Sequence, residues 1–215
     1  TKIEPVESRN VVAKLAGSDA VLAAEHIVYT AHLDHIGIGA PVKDENGVED
    51  SIYNGALDNA LGVSIMFETA STLRATHPTV PAAALVANIN MDMPILLAPT
   101  GDVVPIGIDH STLKSALDTA AKEIGVSLSP DPFPEEVVFV RSDQYAFIRA
   151  GIPAVYLNGG MVSADGVRDP NMALRKFMRE HYHQPSDEAT LPIAYGDALR
   201  LAKLNARIGQ LVGNA

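Results

Sequence analysis

The sequence predicts an α/β fold: a three-layer αβα sandwich with a mixed, mostly parallel central sheet and helices on both faces. Three observations predict it. β-rich apolar runs alternate with helical stretches along the chain. Two of those runs, His26–Ala31 and Ala83–Asn90, are apolar almost throughout, the pattern of a strand buried on both faces. The length of 215 residues, with 47% hydrophobic and 20% charged residues, suits one large domain with a sizeable core. A single domain over residues 1–215 is therefore expected, without internal repeat or linker.

In chain order, Asn10–Leu15 reads as a strand stopped by Gly17-Ser18-Asp19. His26–Ala31 is the next strand, and His32 and Asp34 follow at its C-terminal end. Open α/β sheets place their ligands at that edge. Gly37 to Gly55, rich in Gly, Pro, Asp, Glu and Asn, reads as a surface loop. Asn59 to about Thr76 reads as a helix, with Asp58 where an N-cap or pre-helix ligand would sit. Ala83–Asn90 carries Asp92 just past its end, as the earlier strand carries His32. Val103–Ile108 is a strand, Ser111–Ile124 a helix, and Ser129–Pro134 a loop. Val137–Val140 reads as a strand before Arg141-Ser142-Asp143 and a short helix to Arg149. Gly151–Leu157 gives another strand, Asn158–Asn171 a loop, and a helix runs on to Glu180. The last helix spans about Ile193 to Leu211.

Composition excludes several functions. Net charge is −10 with no Lys/Arg cluster, so nucleic acid is not an expected partner. No apolar run is long enough to span a bilayer, so no membrane partner is expected either. There is no cysteine, which removes disulfides, thiolate nucleophiles and Cys-ligated zinc. A zinc site here must use His, Asp and Glu. No Gly-x-Ser-x-Gly elbow marks a serine hydrolase. The opening Thr1-Lys2-Ile3-Glu4-Pro5 has no signal-peptide pattern and reads as a start inside a longer precursor.

Four places concentrate metal-binding chemistry: His32, Asp58, Asp92 and His183. Each has a plain structural reading. His32 could be a strand-end histidine bonded to Asp34, Asp58 an N-cap, Asp92 a turn cap before Pro94, and His183 a surface residue. Their concurrence points elsewhere, since each sits at a strand or helix terminus facing one sheet edge. Imidazole and carboxylate bind zinc at ~2.0–2.2 Å, and two metals ~3.5–4 Å apart can share one carboxylate and activate one water.

The motifs Ala31-His32-Leu33-Asp34-His35, Asn54-Gly55-Ala56-Leu57-Asp58-Asn59-Ala60-Leu61-Gly62, Asn88-Ile89-Asn90-Met91-Asp92-Met93-Pro94, Val140-Arg141-Ser142-Asp143-Gln144 and Tyr182-His183-Gln184-Pro185-Ser186-Asp187 occur in order over nearly the whole chain. The set resembles the co-catalytic di-zinc aminopeptidase family, which includes glutamate carboxypeptidases and the peptidase-like domain of the transferrin receptor. The resemblance implies a peptide or aminoacyl substrate and one or two zinc ions. It implies that Asp58 bridges both zincs, that His32 and Asp92 complete one site, and that His183 belongs to the other. Asp34 would orient His32, and Tyr182 would polarise the scissile carbonyl or its oxyanion. Arg141 would line the substrate pocket, as would Gly159-Gly160-Met161. The family's accessory domain would be absent, and the parent protein would be secreted or periplasmic.

One departure stands out. The family carries a strand ending in a Glu-Glu pair between the helix after the bridging aspartate and the Asn-x-Asp strand. One Glu is the general base and the next is a ligand of the second zinc. Here Arg74–Pro81 runs almost directly into the Asp92 strand. A unit on the order of 30 residues, the size of a βαβ motif, is expected to be missing. Glu135-Glu136 is the chain's one Glu-Glu pair and reads as a loop pair rather than a transplanted base. Glu68 lies further along the helix from Asp58 and should point away from the site. Either the sequence omits a segment that the protein has, or the protein is a deleted variant; retention of every other motif favours omission. The competing expectation is a catalytically impaired, single-metal or metal-free relative.

Overall fold

The computed structural model describes residues 7–16, 25–75 and 84–214. Its main sheet has five strands in the order β1-β4-β7-β5-β6. These are β1 (Glu25–Thr30), β4 (Ala84–Asn90), β5 (Asp102–Ile106), β6 (Ser127–Leu128) and β7 (Ala154–Gly159). Strands β1, β4 and β7 run parallel, β5 is antiparallel to β7, and β6 is parallel to β5. The expected mixed, mostly parallel sheet flanked by helices is therefore present.

Alternation along the strands divides the core into two layers. Val103, Val155 and Leu157 face the larger layer, with α1 (Leu61–Ala75), α2 (Lys114–Ile124) and α5 (Tyr195–Gly213) packed over it. Leu201, Leu204 and Ile208, spaced three and four apart on α5, are fully buried there. Val104, Ile106 and Tyr156 face the opposite layer with Val138, Phe139 and Met161. On that side α3 (Gln144–Arg149) packs against β4 and β7. Helix α4 (Pro170–Glu180) starts on Asp169, whose carboxylate accepts from the Asn171 and Met172 N–H groups.

Several local expectations are corrected. Residues 10–15 form no strand; Val11 and Val12 are exposed, and no strand among the described residues pairs with them. A β-rich run becomes a strand only where a sheet edge accepts its backbone bonds. Residues 37–55 are not one loop. They hold an antiparallel ribbon of β2 (Gly37–Lys43) and β3 (Glu49–Tyr53). Its turn is closed by the Asp44 carboxylate, which accepts from the Asn46 and Val48 N–H groups. Residues 138–140 make a 3₁₀ turn rather than a strand, entered through Val137 at φ 51°. The short β6 was not expected. Most of the stretch where the Glu-Glu unit should be missing, residues 76–81, lies outside the described residues, as do Gly17-Ser18-Asp19 and Thr1–Pro5.

Candidate metal centre

Neighbouring strands bring the first two candidate ligands together. β1 and β4 pair in register up to Thr30 opposite Asn90. His32 and Asp92 each follow two residues later, so equal offsets on parallel strands put both at one C-terminal edge. His32 Nε2 lies 3.0 Å from Asp92 Oδ1. Behind them a buried amide network fixes the strand ends. Thr30 donates to Asn90 Oδ1 at 2.6 Å, and Asn90 Nδ2 reaches Gln144 Oε1 at 2.7 Å.

Asp58 arrives from the tight segment between β3 and α1. Gly55 enters it at φ +64°, and a Cβ there would stand 2.7 Å from Cγ of the His35 ring. Two clamps hold the segment. The fully buried Asp187 carboxylate accepts from Leu57 N at 2.9 Å and Asp58 N at 3.1 Å. Asn59 donates to Met91 O at 2.9 Å and accepts from Met93 N at 3.0 Å, tying the segment to the loop that carries Asp92. Gly62 leaves room for that clamp, since a Cβ there would overlap the Asn59 amide oxygen. The Asp58–Asn59 peptide bond is cis.

The buried Asp58 carboxylate faces two ways. Its Oδ1 lies 3.2 Å from His32 Nε2 and its Oδ2 lies 3.2 Å from His183 Nε2. The ligand atoms of His32, Asp58 and Asp92 all lie within 4.8 Å of one another, the one such group among the described residues. Two carboxylates and an imidazole suit zinc. His32 also presents the right nitrogen. Its Nδ1 donates to the main-chain oxygen of Asp34 at 3.0 Å, so Nε2 is the nitrogen that could bind a metal once it gives up its proton.

Electrostatics agree that the site is built for positive charge. Hydrogen bonds to Asp58 and then Asp92 push the His32 pKa up to about 11, against the opposing effect of burial. For Asp58, burial is the largest influence and works upward. The bond and charge of His32, with the charges of His35 and His183, outweigh it and hold the carboxyl low.

Residues 10–82 and 75–208 match the sequence model of peptidase family M28. This chain belongs to peptidase family M28. The M28 peptidases are zinc-dependent, and the donor set described above fits that metal. No curated protein matches the chain.

As an M28 chain, it places the remaining candidates as follows. His183, at φ 56°, is half exposed and stacks on Tyr182 with ring centroids 3.9 Å apart. Burial, then the charges of Asp58 and Asp92, raise the Tyr182 pKa, so its phenol stays protonated. Arg141 acts in the opposite sense on Tyr182, and its exposed guanidinium lies 3.6 Å from Glu136. The Asp34 carboxylate is 93% exposed and 3.7 Å from His32 Nδ1, farther than its own main-chain oxygen. Glu135 and Glu136 are exposed on a 3₁₀ turn, and Glu68 is exposed on α1. The main-chain N–H groups of Met161 and Val162 bind the buried Asp102 carboxylate.

Three contributors went unassigned at the sequence level. Asp187, Asn59 and His35 all lie inside the ordered sequence motifs, but neither their type nor their spacing assigns them a role. The signal for Asp187 was an acid four residues after a candidate ligand in an otherwise polar turn. Asp143 also belongs near the site. Burial raises its pKa, with Asp92 and Asp34 adding to the effect and His32 opposing it.

Proposed function

We propose that this chain is a zinc-dependent aminopeptidase that hydrolyses the peptide bond after the N-terminal residue. The observation that carries the reading is the two-sided Asp58 carboxylate, with His32 and Asp92 on one side and His183 on the other. That is how a carboxylate shared by two cations would be held. Zinc bound here supplies a Lewis acid that acidifies water and polarises a carbonyl.

The chain's own residues then divide the work. The Tyr182 phenol, protonated through the neutral range, donates a hydrogen bond to oxygen that gains charge. Arg141 offers an exposed cation near enough to Tyr182 to act on its phenol. The Asp187 and Asn59 clamps keep Asp58 from reorienting as substrate binds. The test is hydrolysis of aminoacyl-nitroanilides. Turnover should be abolished by a chelator, restored by zinc, and lost when the amino group is blocked. No turnover by the zinc-loaded chain would overturn the reading.

A second reading is a catalytically impaired relative that binds one metal. It is favoured by the absence of any glutamate from the ligand cluster among the described residues. Loss of a positioned general base alone lowers the rate ~10²–10⁴-fold. Stoichiometric zinc with turnover reduced by that factor would favour this reading over the first.

A further inference from the structure

We propose that His35 is a ligand of the second metal position, binding through Nδ1 beside Asp58 Oδ2 and His183 Nε2. The inference rests on the zinc-peptidase reading and deepens it.

The His183 side of Asp58 has one carboxylate oxygen and one imidazole at 3.2 Å, too few protein ligands for a firmly held ion. A second imidazole stands beside that same oxygen. His35 Nδ1 lies 3.8 Å from Asp58 Oδ2. That separation is too long for a hydrogen bond. It is close to the edge of a tetrahedron around a common ion, which for bonds of ~2.0–2.1 Å is ~3.4 Å. On the other side of the carboxylate, His32 Nε2 lies at comparable separations, 3.2 Å from Asp58 Oδ1 and 3.0 Å from Asp92 Oδ1. The His35 and His183 rings meet edge to face with centroids 5.8 Å apart, so both imidazoles flank one oxygen.

The ring is also buried, although no side-chain hydrogen bond holds it among the described residues. His35 keeps only 11% of its side-chain surface exposed, and its Nε2 is buried with no hydrogen-bond partner among the described residues. A buried, unsatisfied imidazole is costly and calls for a reason. Gly55 supplies the space that holds the ring against the Asp58 segment. A neutral imidazole that ligates through Nδ1 carries its proton on Nε2, so the partnerless nitrogen is the one that need not ligate.

With the Asp58 oxygen as its one carboxylate donor, the second position would rely on imidazoles for the rest of its ligands. Two neutral imidazoles replace the expected imidazole and carboxylate, so the second ion would sit in a site one negative charge poorer. Its affinity should fall below that of the His32 side while its ligand count is kept.

Metal binding by the full chain tests this without reference to turnover. Cadmium-113 NMR and calorimetric zinc titration are compared for the wild type, His35→Phe and His183→Ala. Phenylalanine keeps a ring against Gly55 and removes the nitrogens. The wild type should take up two ions of unequal affinity. His35→Phe should retain the tighter ion and bind the weaker at least ~10–100-fold less well, the loss seen when even an outer partner of a ligand is removed. His183→Ala should lose the same ion. Two ions of unchanged affinity in His35→Phe would overturn the proposal, as would a wild type that binds one ion only. That last result leaves the metal centre of His32, Asp58 and Asp92 standing, whereas a wild type that binds none removes both. Imidazole nitrogen-15 shifts in the unmutated protein decide the matter if His35→Phe does not fold. A His35 Nδ1 resonance that moves to the ligated range with the second zinc equivalent supports the assignment, and one that stays in place overturns it.

Discussion

The two sides of the Asp58 carboxylate differ in charge and enclosure, and that difference organises the site. On the His32 side, two carboxylates converge on a ring whose tautomer is set by a main-chain oxygen. On the His183 side, a single carboxylate oxygen faces two imidazoles, one of them half exposed. A cation on the first side replaces a proton that two acids already hold in place. A cation on the second side has no such negative surplus to answer. Metal affinity should therefore be strongly graded across a carboxylate that both sides share.

The largest effect should come from breaking the shared element. Asp58→Ala removes an oxygen from each side at once. Tight zinc should vanish from both positions, and peptidase activity should fall on the order of 10³-fold or more, because several kcal/mol of charge stabilisation are lost. Zinc content by elemental analysis, beside nitroanilide turnover, checks it. Retention of either ion would show that the sides are independent.

Asp187→Ala should act on both sides indirectly. Two buried N–H groups, of Leu57 and Asp58, would lose their acceptor. At about 1–3 kcal/mol for each unsatisfied group the loss is roughly 2–6 kcal/mol. For a domain of this size that lowers Tm by roughly 5–20 °C. Thermal unfolding of the metal-free protein measures it directly. A shift of under ~2 °C would mean that the Asp58 segment is held by packing instead.

What the sequence made legible follows from which interactions are local. His32 and Asp92 could be placed at one edge in advance because each stands just past the end of a buried-type strand; the equal two-residue offset became visible only with β1 ending at Thr30. Helices α1, α2, α4 and α5 were legible as helical stretches between the strand-like runs. The errors share another cause. Residues 10–15 and 137–140 are β-rich but find no partner strand among the described residues, while the glycine- and proline-bearing 37–43 run finds one in 49–53. The roles of Asp187 and His35 depend on atoms far off in the chain or across a turn, so neither residue announces its function by type or spacing.

Proton competition sharpens the comparison further. Without metal, His32 keeps its proton up to about pH 11, so zinc must displace that proton. Apparent affinity at the tighter position should rise about tenfold per pH unit between pH 6 and 8, with close to one proton released per ion. The sign for the metal-free fold is opposite. A raised pKa contributes stability that is complete below the unfolded value of about 6.5 and fades as pH climbs toward 11. The gap in Tm between zinc-loaded and metal-free protein should therefore widen with pH. Calorimetry in buffers of different ionisation enthalpy counts the proton, and a pH-independent affinity would remove His32 from the ligand set.

The smallest effect is expected at Asp34, and it separates two ways of orienting a histidine ligand. A carboxylate bonded to the distal nitrogen would make Asp34 worth 10–100-fold in zinc affinity. In this structure the main-chain oxygen of Asp34, at 3.0 Å, takes that bond, while the carboxylate lies 3.7 Å away and almost fully in solvent. A solvated charge at that distance contributes little, and the carbonyl survives any substitution. Asp34→Ala should thus change zinc affinity by less than about threefold, measured by competition with a chromophoric chelator. A loss beyond tenfold would mean that the side chain swings in to replace the carbonyl once the ion is bound, and that the His32 side tightens on its metal rather than standing ready for it.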